Sequence, residues 1–395
     1  MKNNLMSSFP SVTDDNWIST WLSTSQPTSG NAFPFPIEMP LILNQQTLQQ
    51  SLRISLGGSK LRLVFSNRYG VQPLILGDSY FSINGLTDLI RVTFKGKITV
   101  AIPAGEIIYS DEIAINLPSL SIIHLRTYLP EPTPVNTFHW DARHFSLLAT
   151  GNQTLKENVH YEQKISSRLL LESVEIQPEL PSKVVVVIGD SMVDGNGVEM
   201  DSYHRWTDFL AERLISQSAA VINAGQSGSR LLKDGIGVST LARFERDVLN
   251  QAGVTTCVIQ IGLNDLGLAG TALDPEGIIP STDQLIRAYR QLINKAKDKH
   301  IRMIAVTLVP LRCHTEYGLE NFYSPKKEEI RQQINAWIRN SGEFDAIIDS
   351  DKLVRDPKCI QHLDRQYDSG DHLHLNKQGH QLIASSISLE CLLPH

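Results

Sequence analysis

The hydrophobic positions in the first half of the chain alternate with polar positions in short runs. Examples are the runs over 52–56, 61–65 and 122–128, each of which stops close to Gly, Pro or Asn. Alternation with a period of two, broken by turn residues roughly every 8–12 positions, is typical of antiparallel strands packed face to face. We therefore predict a β-sandwich, jelly-roll-like, for this half of the chain.

The second half has a different pattern. The continuous run from Val184 to Ile188 is typical of a strand that is buried on both faces of a parallel sheet. From there apolar runs alternate with stretches of helical spacing, which predicts a doubly wound α/β fold with a parallel sheet. The predicted strands are 184–188, 220–223, 256–261, 304–308 and 346–348, and the predicted helices lie near 206–215, 239–250, 282–298, 325–340 and 377–390.

A linker is predicted between the two patterns, over 175–183. Pro178 and Pro181 fix an extended backbone there, as a short spacer between domains would need. The sequence therefore predicts two domains, the sandwich over 1–178 and the α/β domain over 179–395.

Composition narrows the class of protein. The chain has 395 residues, of which 41% are hydrophobic, and a net charge of −6, so nucleic acid is not an expected partner. No aliphatic run approaches the roughly 20 residues that span a bilayer, so no transmembrane segment is expected.

The first ten residues do not resemble a signal peptide, and the 4 cysteines have no CxxC spacing. A cytoplasmic location is the default expectation, with export by another route or a trimmed leader as the alternatives.

Polar residues follow the predicted strands at the points where the strands end. Gly189-Asp190-Ser191 follows the first strand, the glycine loop to Gly228 follows the second, and Asn264 follows the third. Asp371 and His374 come just before the last predicted helix. Because the carboxyl ends of parallel strands meet at one edge of the sheet, we expect these residues to lie close together.

This set of residues meets the needs of acyl transfer. Ser191 becomes a nucleophile when the His374 imidazole takes its proton, and Asp371 can accept from the other ring nitrogen and fix the tautomer. The backbone N–H groups of Ser191 and Gly228 and the side-chain amide of Asn264 are the predicted donors to an oxyanion. Such chemistry requires no metal and no cofactor, and none is predicted.

The four blocks also resemble a known family. Gly189-Asp190-Ser191, the Gly228 loop, Gly262-x-Asn264-Asp265 and Asp371-x-x-His374 are similar, in this order, to the blocks of the SGNH (GDSL-like) hydrolases. The resemblance covers about 181–395. It implies a flavodoxin-like α/β fold, Ser191 as nucleophile, Asp371 and His374 as its triad partners, and Gly228 and Asn264 as oxyanion donors.

A narrower resemblance rests on the β-rich first half and on the segments 61–67 and 335–339. These look like the xylanase-associated, carbohydrate-esterase-like branch of the family, which implies removal of acyl groups, often acetyl, from polysaccharides. Two residues depart from the family pattern: Met192 is the fourth letter of the GDSL block, and Leu375 stands where a proline often follows the catalytic histidine. Neither is expected to touch a reacting atom.

Each of these residues also has a purely structural interpretation. Ser191 could be a helix N-cap, Gly228 a plain turn glycine and Asn264 the cap of the next helix. Asp190 and Asp265 are predicted to brace their loops and are left out of the catalytic set.

A metal site and a nucleotide site are the remaining alternatives. His372 and His374 form a His-x-His pair, with Asp368 and His380 the nearest further ligands in sequence. The glycines of 195–197 lack the G-x-G-x-x-G spacing of a dinucleotide loop, so an irregular turn is predicted there.

We expect other conspicuous residues to be structural. Trp17, Trp21, His139 and Trp140 are interpreted as core residues of the sandwich rather than as sugar ligands, and Asn376 as the cap of the last helix.

The favoured function is a serine esterase that deacylates a carbohydrate or another small ester, with the sandwich flanking the cleft. A lipase, phospholipase or thioesterase of the same family, and a catalytically inert glycan-binding protein, are the alternatives. The loops over 267–281 and 311–323 have a mixed composition, which favours short acyl groups. The oligomeric state is not predicted.

Overall fold

The computed structural model describes residues 16–28, 33–312 and 319–393. The expectation about the first ten residues and the thiol of Cys313 lie outside these ranges. The described strands are β1 (Ile18–Leu22), β2 (Gln26–Pro27), β3 (Ile42–Leu43), β4 (Gln46–Arg53), β5 (Gly58–Ser66), β6 (Leu74–Leu76), β7 (Ser79–Ile83), β8 (Ile90–Val92), β9 (Val100–Ile102), β10 (Ile107–Tyr109), β11 (Ile113–Leu117), β12 (Ile122–Leu129), β13 (Thr133–Pro134), β14 (Thr137–His139), β15 (Ser146–Thr150), β16 (Gln163–Ile165), β17 (Arg168–Leu169), β18 (Leu171–Gln177), β19 (Lys183–Gly189), β20 (Ala219–Gly225), β21 (Val254–Gln260), β22 (Arg302–Val306) and β23 (Ala346–Ile348). The described α-helices are α1 (Ser191–Asp194), α2 (Trp206–Leu214), α3 (Thr240–Phe244), α4 (Leu263–Gly267), α5 (Thr282–Asp298), α6 (Pro325–Asn340), α7 (Ser350–Val354), α8 (Lys377–Ser386) and α9 (Leu389–Leu392).

The N-terminal half, β1 to β18, is built mainly from two antiparallel sheets. One has the strand order β1-β18-β5-β10, with β11 also paired to β5, and the other has the order β16-β15-β4-β12-β7-β8. Leu61, Leu63 and Phe65 alternate along β5 and are almost completely buried, so one face of that strand enters the core. The antiparallel β architecture predicted for this half is confirmed.

The C-terminal half, from β19 onward, contains a parallel sheet with the order β20-β19-β21-β22-β23. Written by order along the chain this is 2-1-3-4-5, the flavodoxin-like arrangement of doubly wound folds. Val184 to Ile188 in β19 are fully buried because β20 and β21 flank the strand on its two edges and other elements cover its faces. The doubly wound α/β fold is confirmed.

Some predicted boundaries were wrong. The linker predicted over 175–183 is shorter, because 175–177 belong to β18 and pair with both β1 and β5. The helical stretch predicted near 239–250 is confirmed in its extent, and it consists of α3 followed directly by a π-helical segment, Glu245–Leu249. The last helix breaks at Ile387, whose backbone is extended, so α8 and α9 are separate.

The two halves are in extensive contact. The backbone N–H of Ser19 in β1 donates to the carbonyl oxygen of Ala252 over 2.9 Å. The N–H of Val221 in β20 donates to the Ser55 hydroxyl over 3.1 Å. Buried apolar residues of both halves form one continuous core. None of the helices in the described part of the chain is long and apolar enough to cross a membrane.

Candidate active site

The nucleophile candidate lies directly after the central strand of the parallel sheet. β19 ends at Gly189, and α1 begins at Ser191. Asp190 is the N-cap of α1, and its Oδ1 accepts a hydrogen bond of 3.0 Å from the N–H of Met192. Burial raises the pKa of Asp190 to about 7. The structure thus gives Asp190 a bracing contact at the start of the helix and leaves the N-cap interpretation of Ser191 without support.

Ser191, His374 and Asp371 form a continuous hydrogen-bonded chain. His374 Nε2 lies 2.8 Å from the Ser191 Oγ, and His374 Nδ1 lies 2.5 Å from Asp371 Oδ2. A carboxylate only accepts hydrogen bonds, so the ring proton is assigned to Nδ1, and Nε2 is left to accept from the serine hydroxyl. This is the proton arrangement that a serine nucleophile requires before it reacts.

Local hydrogen bonds hold Asp371 in its ionised form. Its Oδ1 accepts from the backbone N–H of Leu373 at 2.9 Å and of His374 at 2.7 Å, and from the Ser369 hydroxyl at 3.0 Å. Burial alone would raise the pKa of Asp371, but the contacts with His374 and the backbone N–H donors hold that pKa well below its ordinary value. The carboxylate therefore keeps its charge beside His374 at neutral pH.

Gly228 and Asn264 line the same cavity as Ser191 and His374. Gly228 has φ +74°, a left-handed conformation in which a side chain would be strained. Asn264 lies inside α4, whose N-cap is Gly262, so the helix-cap interpretation of Asn264 is wrong. One hydrogen of its side-chain amide is donated to the carbonyl oxygen of Ser229 over 3.1 Å, which orients the amide and leaves its second hydrogen available.

Asp265 braces the loop that follows Gly228, as predicted. Its two carboxylate oxygens accept from the backbone N–H groups of Leu231, at 2.7 Å, and Leu232, at 2.9 Å. Burial raises the pKa of Asp265 to about 6. The segments that carry Gly228 and Asn264 are thereby tied to each other.

The cavity beside Ser191 has a volume of about 750 Å³ and is lined from both halves of the chain. The N-terminal half contributes Phe35, Trp140 and Arg143. The Phe35 and Trp140 rings are stacked, with centroids 4.6 Å apart. Assigning Trp140 to the sandwich core alone was therefore wrong, because its side chain forms part of the cavity wall. Nothing in the local sequence marks Phe35 or Arg143, since they reach the cavity through the folding of distant segments.

The loops after α4 and before α6 supply an apolar wall. Leu268, Leu273, Leu319 and Phe322 line the cavity, although the loops that carry them have a mixed composition. Phe322 packs on the backbone of Gly267, so the two loops are in direct contact. The orientation of these side chains, which composition does not report, makes this wall more apolar than the sequence suggested.

The other residues considered as metal ligands or helix caps are not part of the hydrogen-bonded chain from Asp371 through His374 to Ser191. His372 pairs with Asp368, with His372 Nδ1 and Asp368 Oδ2 2.5 Å apart, and His380 is buried against the N–H of Trp206. Among the residues that the structure describes, no three His, Cys, Asp or Glu side chains are grouped as metal ligands. Asn376 accepts from the N–H of Gly379 and caps α8, as predicted.

Comparison with known proteins gives one family model and a number of matching solved structures. The family model described as GDSL-like Lipase/Acylhydrolase matches residues 185–387. No curated protein matches the sequence. Among solved structures, the carbohydrate acetylesterase Est24 from Sinorhizobium meliloti is 14% identical over 51% of this chain and 94% of its own, with a TM-score of 0.39. The aryl esterase of M. smegmatis is 13% identical over 52% and 95%, with a TM-score of 0.41. A GDSL-like lipase from Bacteroides thetaiotaomicron is 19% identical over 51% and 84%, with a TM-score of 0.38.

Proposed function

Because the chain belongs to the GDSL-like lipase/acylhydrolase family, we propose that it hydrolyses carboxylic esters with Ser191 as the nucleophile. The observation that carries the proposal is the unbroken hydrogen-bonded chain from Asp371 through His374 to Ser191 at the wall of a large cavity. The fold brings Ser191 into contact with a residue 183 positions later in the chain, which a chance pattern of single residues does not explain.

The proposed reaction runs in two similar steps. His374 Nε2 takes the hydroxyl proton of Ser191 as Oγ attacks the ester carbonyl, and Asp371 stabilises the imidazolium that forms. The tetrahedral intermediate collapses, His374 gives the proton to the departing alcohol oxygen, and an acyl-serine remains. Water then attacks this acyl group as His374 Nε2 takes one of its protons, and His374 returns that proton to Ser191 Oγ as the bond between Oγ and the acyl carbon breaks, which releases the acid and free Ser191.

Charge on the substrate oxygen would be stabilised by three donors. These are the backbone N–H groups of Ser191 and Gly228 and the side-chain amide of Asn264, all from residues that line the cavity. A single donor of this kind is worth about 10²–10³ in turnover, because it is fixed in place before the charge develops.

For the substrate we favour an acylated carbohydrate or another small ester, with acetyl as the simplest acyl group. The polar side chains around the cavity support this choice: Arg143, Asn196, Glu199 and Ser369 offer hydrogen-bond donors and acceptors to a hydroxylated alcohol. A volume of about 750 Å³ lies within the usual range of small-molecule sites and is large enough for a sugar unit.

A second candidate is a lipase or thioesterase that takes longer acyl chains. The wall formed by Leu268, Leu273, Leu319 and Phe322 favours it, because an acyl chain gains about 0.8 kcal/mol for each methylene that it buries. The two candidates share the same catalytic residues and differ in the length of the acyl group and, for a thioesterase, in the thiol that leaves.

The test is a panel of esters assayed with the wild type and with Ser191→Ala. The panel contains acetylated xylan, acetylated sialic acid, a phospholipid, an acyl thioester and p-nitrophenyl esters of graded chain length. We expect the wild type to hydrolyse short aryl esters and Ser191→Ala to lose turnover by a factor on the order of 10⁴ or more. The exposed Ser385 on α8 gives the matched control, Ser385→Ala, which should behave as the wild type. Equal rates for Ser191→Ala and the wild type would refute the proposal.

A further inference from the structure

The turn after β20, residues 225–228, is held by side chains from the N-terminal half. The hydroxyl of Thr24 donates to the carbonyl oxygen of Gly225 over 3.0 Å. The side-chain amide of Gln26 donates to the carbonyl oxygen of Ile236 over 2.8 Å, and Ile236 packs directly on Gly228. The turn that contains a predicted oxyanion donor is thus in contact with a part of the chain some 200 residues away.

A third connection runs through a buried ion pair. His139, at the end of β14, lies with its Nε2 2.9 Å from Asp194 Oδ1. The other oxygen of Asp194, Oδ2, accepts from the backbone N–H of Ser227 at 2.9 Å and from the Ser227 hydroxyl at 2.8 Å. Asp194 is the last residue of α1, which begins with Ser191, and Ser227 directly precedes Gly228. One carboxylate therefore joins the N-terminal half to both the nucleophile helix and the Gly228 turn.

The surroundings of His139 fix its charge. Its Nδ1 faces the carbonyl oxygen of Thr24 at 2.9 Å, and its Nε2 faces the Asp194 carboxylate, so both ring nitrogens point at acceptors. The Thr24 hydroxyl donates its single hydrogen to the carbonyl oxygen of Gly225, so it has no hydrogen left to donate to Nδ1. Only an imidazolium has two N–H donors, so the buried pair consists of a cation and an anion. Burial lowers the pKa of His139, but Asp194 more than offsets this and the pKa is raised.

We propose that His139 is a positioning residue, which fixes the Asp194 carboxylate and through it the Ser227–Gly228 backbone in the geometry that an oxyanion requires. This inference rests on the proposed esterase function and extends it, because the N-terminal half then takes part in catalysis without touching the reacting atoms. Gly225 allows the close approach on which the contact depends, since a Cβ there would lie 2.3 Å from the backbone nitrogen of Asp194.

Two substitutions of His139 separate its two hydrogen bonds. In His139→Gln the side-chain amide reaches the place of Nε2 and still donates to Asp194. In His139→Asn the amide stands at the place of Nδ1 and donates only to Thr24. We expect His139→Asn to lower kcat for a short aryl ester by about 10-fold to 100-fold with KM nearly unchanged, because displaced donors weaken transition-state binding. We expect His139→Gln to restore most of that loss.

The other end of the connection offers a second variant that leaves the junction between the halves intact. Ser227→Ala removes the hydroxyl contact with Asp194 Oδ2 and keeps the backbone N–H. It should lower kcat by a factor of about 3 to 10, again without raising KM. This variant keeps the inference testable if His139→Asn does not fold.

Gln251→Ala is the matched control. Gln251 accepts from the Ser19 hydroxyl over 3.1 Å, so it also joins the two halves, but it precedes β21 and lies at the opposite edge of the sheet from Ser191. Its kcat should equal that of the wild type. Hydrogen–deuterium exchange gives a second readout: amides of 226–229 should exchange faster in His139→Asn and unchanged in Gln251→Ala.

The outcomes are distinguishable from those of the main proposal. No turnover by the wild type, or full turnover by Ser191→Ala, would overturn the esterase function and this inference together. If the wild type turns over normally, equal kcat values for His139→Asn and His139→Gln would overturn this inference alone. Unchanged exchange over 226–229 in His139→Asn would do the same.

Discussion

Substitution of Asn264 by alanine tests the oxyanion assignment. The Asn264 amide has two hydrogens, and the Ser229 carbonyl takes one of them at 3.1 Å. The remaining hydrogen is the one that can reach an oxyanion. The backbone donors of Ser191 and Gly228 stay in place, so we expect kcat to fall by about 10²–10³, which corresponds to about 3–4 kcal/mol of barrier. KM should change by less than about threefold, since the neutral carbonyl of the bound ester depends less on this donor.

The same substitution has a separate and smaller effect on stability. The Ser229 carbonyl loses its contact with the Asn264 amide, so the free energy of unfolding should fall by about 1 kcal/mol. Steady-state hydrolysis of p-nitrophenyl acetate and urea denaturation measure the two effects independently. Asn340→Ala, at an exposed position at the end of α6, is the matched control and should change neither. A kcat for Asn264→Ala within about threefold of the wild type would refute the oxyanion role.

Four further predictions concern the triad, the buried acid, the cavity wall and metals. Asp371→Asn should lower kcat by about 10⁴, measured on the same ester, because an amide no longer holds the His374 tautomer or its charge. The pKa of Asp190 is raised to about 7, so the native state keeps a proton that the unfolded chain releases near pH 4. Wild-type stability should therefore fall between these pH values, and urea denaturation of Asp190→Asn at pH 5 and pH 8 should lack that part of the fall. Phe322→Ala should move the preference among graded esters toward longer chains and lower the free energy of unfolding by about 3 kcal/mol, whereas an unchanged chain-length profile would contradict the role of this wall. Excess EDTA should leave the hydrolysis rate unchanged, and a loss that zinc restores would contradict a metal-free mechanism.

The sequence predicted the parallel half of the fold well, because its signals are local. The helices α5 and α6 begin and end where helical spacing predicts them. Ser281 and Gln284 form a capping box at the start of α5, and Ser324 and Pro325 give a similar signal at the start of α6. Ser191 could be named because it follows a recognisable strand, and Asp371 and His374 because they form a recognisable Asp-x-x-His motif just before a predicted helix.

Contacts between distant segments were not predictable in this way. The pairing of β18 with both β1 and β5 is set by tertiary structure, and alternation along β18 does not report its neighbours. For the same reason Phe35, Trp140 and Arg143 were not expected at the cavity, and His139 was interpreted as a core residue. A local pattern indicates whether a side chain is buried, but it does not indicate which buried group it contacts.

The packing of β1 on β20 has a consequence for how the chain folds during its synthesis. Ile18 in β1 packs on Gly253, and β1 as a whole contacts β20, which follows it by about 200 residues. While the chain leaves the ribosome, the N-terminal half can pair its own strands once β18 has emerged, but the face of β1 that meets the parallel sheet stays uncovered until β20 has been made. We expect nascent chains that stop between 178 and 219 to aggregate or to require chaperones, and slowing translation over that interval to lower the yield of native protein.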